Sequence, residues 1–204
     1  MQLVPRWALL SSGCAPVVLI GGWLIAARLE GPAYDPVTQT ISVLAAYGAA
    51  GFWVMTTALA ALGLCHLVTA LGLRAAALPG RVALGAGGVT AFVVAALPPP
   101  SSGGSLRHGA VAGVGFALLA MWPVLAADRR GTGPWGLRLV PSIAATLLML
   151  VSAVWFLFEM HIDGAAGVAE RLVTSIQSLW PFVVVASCLR YRYVIGRSGG
   201  SRSR

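Results

Sequence analysis

The side chains able to do chemistry in this sequence are few, and most fall in three short stretches. Arg28 and Asp35 frame the first, which continues through Thr38, Gln39 and Thr40 to Ser42. Arg107 and His108 end the second, a segment over residues 98–108 rich in proline, serine and glycine. Glu159, His161 and Asp163 close an apolar run. A guanidinium next to an imidazole suits a phosphate or a carboxylate, and an imidazole oriented by a carboxylate can act as a general base. If the three stretches meet, Arg28, Asp35, Arg107, His108, Glu159 and His161 form one ligand-binding rim. Such a set can serve as a structural ion-pair network, as a site for a lipid headgroup or small amphiphile, or as a catalytic or metal site. No HExxH-type or comparable spacing joins its His, Glu and Asp members, so neither a metal nor a cofactor is expected.

His66 stands apart inside an apolar run, with Thr69 and Arg74 after it. An imidazole at that depth is a proton carrier or a polar contact between helices; the expectation is a neutral ring hydrogen-bonded to a neighbouring helix. Ser152, Trp155 or Phe156, Glu159 and Asp163 recur at helical spacing, which predicts Glu159 turned toward the interior. A carboxylate at hydrocarbon depth costs on the order of 2.5 kcal/mol or more, so Arg28, Arg107 or Arg171 is expected as its partner.

These residues must be positioned by helices in lipid. Charged residues make up 10% of the chain and apolar ones 58%, against about 25% and about 45–50% in a soluble domain counted with glycine, and so few charges cannot cover a water-soluble surface. The formal charge of +8 comes from arginine alone. The arginines sit between apolar runs rather than in a patch interleaved with aromatics, which argues against nucleic acid as a partner. Cys14, Cys65 and Cys188 lie far apart within apolar runs and suggest no redox motif or disulfide framework.

Roughly 20 apolar residues span a bilayer core, and the windows 7–27, 51–73, 82–97, 109–127, 139–158 and 172–189 approach or meet that length. The fold expected is all-α, a bundle of six transmembrane helices forming a single domain over residues 1–190. Pro98, Pro99 and Pro100 end the third span, since proline cannot continue the hydrogen-bond ladder. The first window reads as an uncleaved helix, because the apolar stretch before Cys14 is too short for a signal core. Placing the N-terminus inside puts 11 of the 14 arginines on the cytoplasmic side and leaves Arg28, Arg107 and Arg171 outside. Cytoplasmic loops retain positive charge, so both termini are expected in the cytoplasm, the last as a disordered basic tail over residues 191–204. Gly109 with Gly113, and Gly85 with Gly87 and Gly88, have the spacing of close helix packing in lipid. Arginine without lysine, beside heavy alanine, glycine and valine usage, suggests a high-GC bacterial source and a bacterial cytoplasmic membrane.

The stretch Gly22-Trp23-Leu24-Ile25-Ala26-Ala27-Arg28-Leu29-Glu30-Gly31-Pro32, then Tyr34-Asp35-Pro36-Val37-Thr38-Gln39-Thr40-Ile41-Ser42, resembles the actinobacterial branch of the domain of unknown function 998 (DUF998) family. Cys65-His66, Gly103-Gly104-Ser105, Ala169-Glu170-Arg171 and Gln177-Ser178-Leu179-Trp180-Pro181 are similar as well, so the likeness covers almost the whole chain. It implies a multi-pass membrane protein and no established activity. Ile41-Ser42 with Gly48 is distantly similar to the six-helix Frag1 and damage-regulated autophagy modulator proteins, which favours a lipid-associated, non-enzymatic role.

The reading that follows is a membrane protein whose outer polar pocket holds a lipid headgroup or small amphiphile, with membrane lipids as partners. Two alternatives remain. One is an intramembrane hydrolase or transferase using His108 or His161 as base with Glu159; the other is a small transporter or proton pathway linking His66 to Glu159.

Overall fold

The computed structural model describes residues 4–101 and 104–200, with side chains as far as Tyr191. The chain forms helices α1 (Arg6–Glu30), α2 (Ile41–Leu44), α3 (Phe52–Gly72), α4 (Leu78–Ala96), α5 (Leu106–Leu125), α6 (Leu139–His161) and α7 (Ala166–Gly200). All but α2, a single turn, are long and apolar enough to cross a membrane, giving six spans. Val17, Leu64, Val151 and Val154, on three different helices, are exposed. An apolar exterior of this kind is stable only in lipid, where the helix satisfies its own backbone. The protein is a multi-pass membrane protein with an all-helical fold.

The long helices close into a ring, α1 on α3, α3 on α4, α4 on α5, α5 on α6, α6 on α7, and α7 back on α1. Their alternating directions gather residues 31–51, 97–101, 104–105 and 162–165 at one end of the bundle, and 73–77 and 126–138 at the other. The first is the site end. Tight seams come from glycine: a Cβ added to Gly63 would lie 2.6 Å from the Gly88 carbonyl oxygen, and one added to Gly88 would lie 2.7 Å from that of Gly63. Only two bare backbones allow α3 and α4 this close. Gly109 and Gly113 behave otherwise. A Cβ on either meets nothing within 4 Å, so the close-packing role expected of them is corrected: they face open space.

Two boundaries differ from the hydropathy windows. α4 begins at Leu78 with Pro79 in its first turn, where a missing N–H is harmless, so the third span is longer than 82–97. α7 begins at Ala166 and brings Glu170 and Arg171 into the helix. Its backbone stays helical to Gly200, across most of the segment expected as a disordered tail; residues 201–204 lie outside the described residues.

Candidate functional site

The site is built where the loop after α1 folds back onto α7. Gly31 leaves the helix at a φ of +71°, a left-handed conformation suited to glycine, and the chain returns to α3, where the Gly51 N–H donates to Glu30 Oε1 at 2.9 Å. Arg171 ties this loop down. Its Nη1 donates to the carbonyl oxygens of Pro36 at 2.9 Å, Gln39 at 3.2 Å and Gly167 at 2.8 Å, and its Nη2 donates to the Tyr34 hydroxyl. The guanidinium also lies 5.9 Å from the Trp23 ring centroid and 5.7 Å from that of Tyr34, within cation–π reach. Burial pushes the Tyr34 phenol up, with Arg171 opposing it. A side chain at Gly167 would strike the Gln39 and Pro36 carbonyl oxygens, so its bareness lets the loop lie flat on α7.

This staple delivers α2 to Glu170, whose side chain is only 5% exposed. The Ile41 N–H donates to Glu170 Oε2, and Ser42 Oγ is 3.3 Å from Oε1. On its other side Ser42 Oγ is 3.1 Å from His108 Nε2, and His108 Nδ1 is 2.8 Å from the Leu97 carbonyl oxygen. Ser105 caps the start of α5, its Oγ accepting the backbone N–H of His108.

Proton accounting restricts this chain. A carbonyl oxygen only accepts, so Nδ1 carries a proton and a neutral ring presents the Nε2 lone pair to the Ser42 hydroxyl. Ser42 Oγ can donate to Glu170 Oε1, but with its single proton given to Nε2 it bonds Oε1 only by accepting from a protonated carboxyl, while Oε2 accepts from Ile41; in that arrangement the network is neutral and every group is satisfied. The alternative moves two protons and leaves an imidazolium facing a carboxylate across a serine, the costlier state at hydrocarbon depth.

Two spaces of opposite character meet at Ser42 and Glu170. A cleft of about 560 Å³ at the site end is lined by Thr38, Gln39, Thr40, Ser105 and His108 on its polar side, and by Phe116, Phe156, Leu157 and Met160 on its apolar side. Gly109 and Gly113 line the cleft as well. Leu157 is 65% and Met160 50% exposed, so the apolar wall is open to lipid. A second space of about 90 Å³ lies inside the helix ring, against Leu19, Leu62, Val94, Phe116 and Leu119, with His66 also on its wall. Apart from His66, its polar side chains are already engaged: Thr90 donates to Gly87 O, Thr174 to Glu170 O, Gln177 to Phe116 O and Ser178 to Ser175 O. The inner space is therefore apolar in its atoms although several lining residues are polar by type.

The six rim residues expected from sequence do not converge. His108 alone of them lines the cleft. Arg28, Arg107 and His161 are exposed. Asp35 is exposed too; the Val37 N–H and then the Thr38 hydroxyl hold its carboxyl below the usual range. Glu159 accepts from Trp155 Nε1 at 2.8 Å and from the Ala165 N–H at 2.6 Å, closing the turn between α6 and α7 instead of pairing with an arginine. His66 is buried with neither ring nitrogen hydrogen-bonded among the described residues, which corrects the expected interhelical bond. Among those residues, no three His, Cys, Asp or Glu side chains are grouped to hold a metal.

Ser42, Glu170 and Arg171 are what the sequence reading left out of the site. A signal existed: Glu170, Thr174, Gln177 and Ser178 repeat at helical spacing along one face of an otherwise apolar segment, which marks a polar stripe turned inward. No curated protein and no solved structure matches the chain. A family model, described as protein of unknown function (DUF998), matches residues 13–187, a span that includes every residue of the Glu170–Ser42–His108 network, and the chain belongs to that family.

Proposed function

We propose that this protein binds an amphiphile, a lipid or lipid-like molecule, with its polar group against Ser42, His108 and Glu170 and its apolar part along α5 and α6. The observation that carries this is a cleft lined by polar side chains, by lipid-exposed Leu157 and Met160, and by the bare Gly109 and Gly113, at which a Cβ would meet nothing within 4 Å. Backbone without side chains leaves room for a chain, and Leu157 and Met160 supply the surface it would cover. The described residues lining the cleft offer hydroxyls, an amide, an imidazole and a carboxyl but no guanidinium. That set suits an uncharged, hydrogen-bonding headgroup better than a phosphate. In the same reading the bundle sits in a bacterial cytoplasmic membrane with both termini inside, which the arginine distribution supports, and the cleft opens to the outer leaflet.

The full-length protein in mild detergent, analysed by native mass spectrometry, tests this. Wild type should carry co-purifying lipid. Gly113→Leu puts a bulky side chain into the cleft from a position whose Cβ meets nothing within 4 Å, so it should strip that lipid while leaving the melting temperature unchanged or raised, because glycine costs about 0.5–1 kcal/mol in a helix. Gly88→Ala, which collides with α3, should lower the melting temperature instead. Equal lipid content in wild type and Gly113→Leu would count against binding in this cleft.

A further inference from the structure

We propose that Ser42 is an acyl-accepting nucleophile with His108 as its general base, which makes the cleft an active site for ester-linked amphiphiles; this rests on the amphiphile-binding reading above. Three observations carry it. First, the hydroxyl and the imidazole already stand in the relation a serine nucleophile needs, 3.1 Å apart, with Nδ1 fixed by the Leu97 carbonyl so that Nε2 is the free base. Second, Ser42 is the second residue of α2, held in place through the Ile41 N–H by Glu170. Third, Ser42 borders both spaces. An ester with its headgroup against the polar side of the cleft and its acyl chain along α5 and α6 has its carbonyl carbon at Ser42, where the small inner space of about 90 Å³ leaves room for the carbonyl oxygen.

The step balances without a metal or a redox partner. Ser42 Oγ attacks the carbonyl carbon while its proton passes to His108 Nε2. The carbon–oxygen bond to the headgroup breaks, and His108 returns the proton to the departing alkoxide. Water entering from the cleft then attacks the acyl-serine, giving its proton to Nε2 and freeing a carboxylic acid as Ser42 recovers its own. As Ser42 Oγ bonds to carbon, Glu170 in its acid form, with Oε1 3.3 Å from Oγ, shifts its hydrogen bond from Oγ to the substrate's carbonyl oxygen, where the charge develops.

The test treats the full-length protein in nanodiscs with an alkyl fluorophosphonate and locates the adduct by peptide mass spectrometry. An adduct on Ser42 is expected, absent in Ser42→Ala and slowed about a hundredfold in His108→Gln. In parallel, Ser42→Cys should be alkylated at a pH below that of an ordinary thiol, and the second change His108→Gln should restore the ordinary profile. No Ser42 adduct in folded wild type, together with an ordinary thiol profile in Ser42→Cys, overturns the nucleophile. If Gly113→Leu still removes co-purified lipid in that case, the binding reading stands while catalysis falls.

Discussion

Ser42 and His108 lie 66 positions apart in the chain, yet Ser42 Oγ and His108 Nε2 meet at 3.1 Å. The contact exists because two unrelated pieces of backbone are pinned independently. Arg171 clamps the loop that leads into α2, while Ser105 holds the His108 backbone at the start of α5 and the Leu97 carbonyl fixes its imidazole. Glu170 closes the set from beneath.

The neutral form of this network predicts different outcomes for two substitutions. Glu170→Gln keeps an oxygen to accept the Ile41 N–H and gains an amide donor for Ser42 Oγ, so its melting temperature should match wild type closely. Glu170→Ala leaves buried partners unmet and should cost about 1–3 kcal/mol. Thermal melts of the detergent-solubilised protein check this. A Glu170→Gln protein as unstable as Glu170→Ala would show that a carboxylate is required.

Arg171 works through a planar fork with donors in fixed directions, which lysine cannot reproduce. Arg171→Lys should therefore free the loop almost as much as Arg171→Ala, each at a cost of about 1.5–3 kcal/mol. Labelling of a cysteine placed at Thr38 reads this directly: both variants should react faster than the parent, and equal rates would mean the loop holds without the clamp.

Asp35 sits at the water-exposed end of the same loop, with its carboxyl held below the ordinary value of 3.8 by the Val37 N–H and the Thr38 hydroxyl. A depressed folded-state value means the ionised carboxylate stabilises the fold above the unfolded value, and that contribution fades as pH drops through the folded one. The stability gap between wild type and Asp35→Asn should be small and level above about pH 5, then shrink below about pH 4. Melts across that range test it; a gap that widens in acid would reverse the sign.

Much of the fold was legible because lipid imposes a length and a polarity on every span. The site was legible in part. His108 was found because an imidazole at the head of a helix, after a Pro-Ser-Gly segment, has few other uses. Glu170 was missed because a hydropathy window excludes charge and so ended the last span at Leu172, whereas α7 begins at Ala166 and absorbs both charges through loop backbone that no window can see. The Gly109 and Gly113 pair has the same spacing whether it meets a helix or an open cleft; only the neighbouring wall decides. Glu159 was assigned a cation, yet a tryptophan N–H four residues back and a turn amide satisfy it locally.

The most direct test of the amphiphile cleft is photolabelling in nanodiscs with a diazirine-bearing acyl amphiphile, mapped residue by residue. Adducts should concentrate on the cleft walls at Phe116, Phe156, Leu157 and Met160, and should vanish from them in Gly113→Leu. Adducts spread evenly over outward-facing Val17, Val151 and Val154, and unaffected by Gly113→Leu, would contradict it.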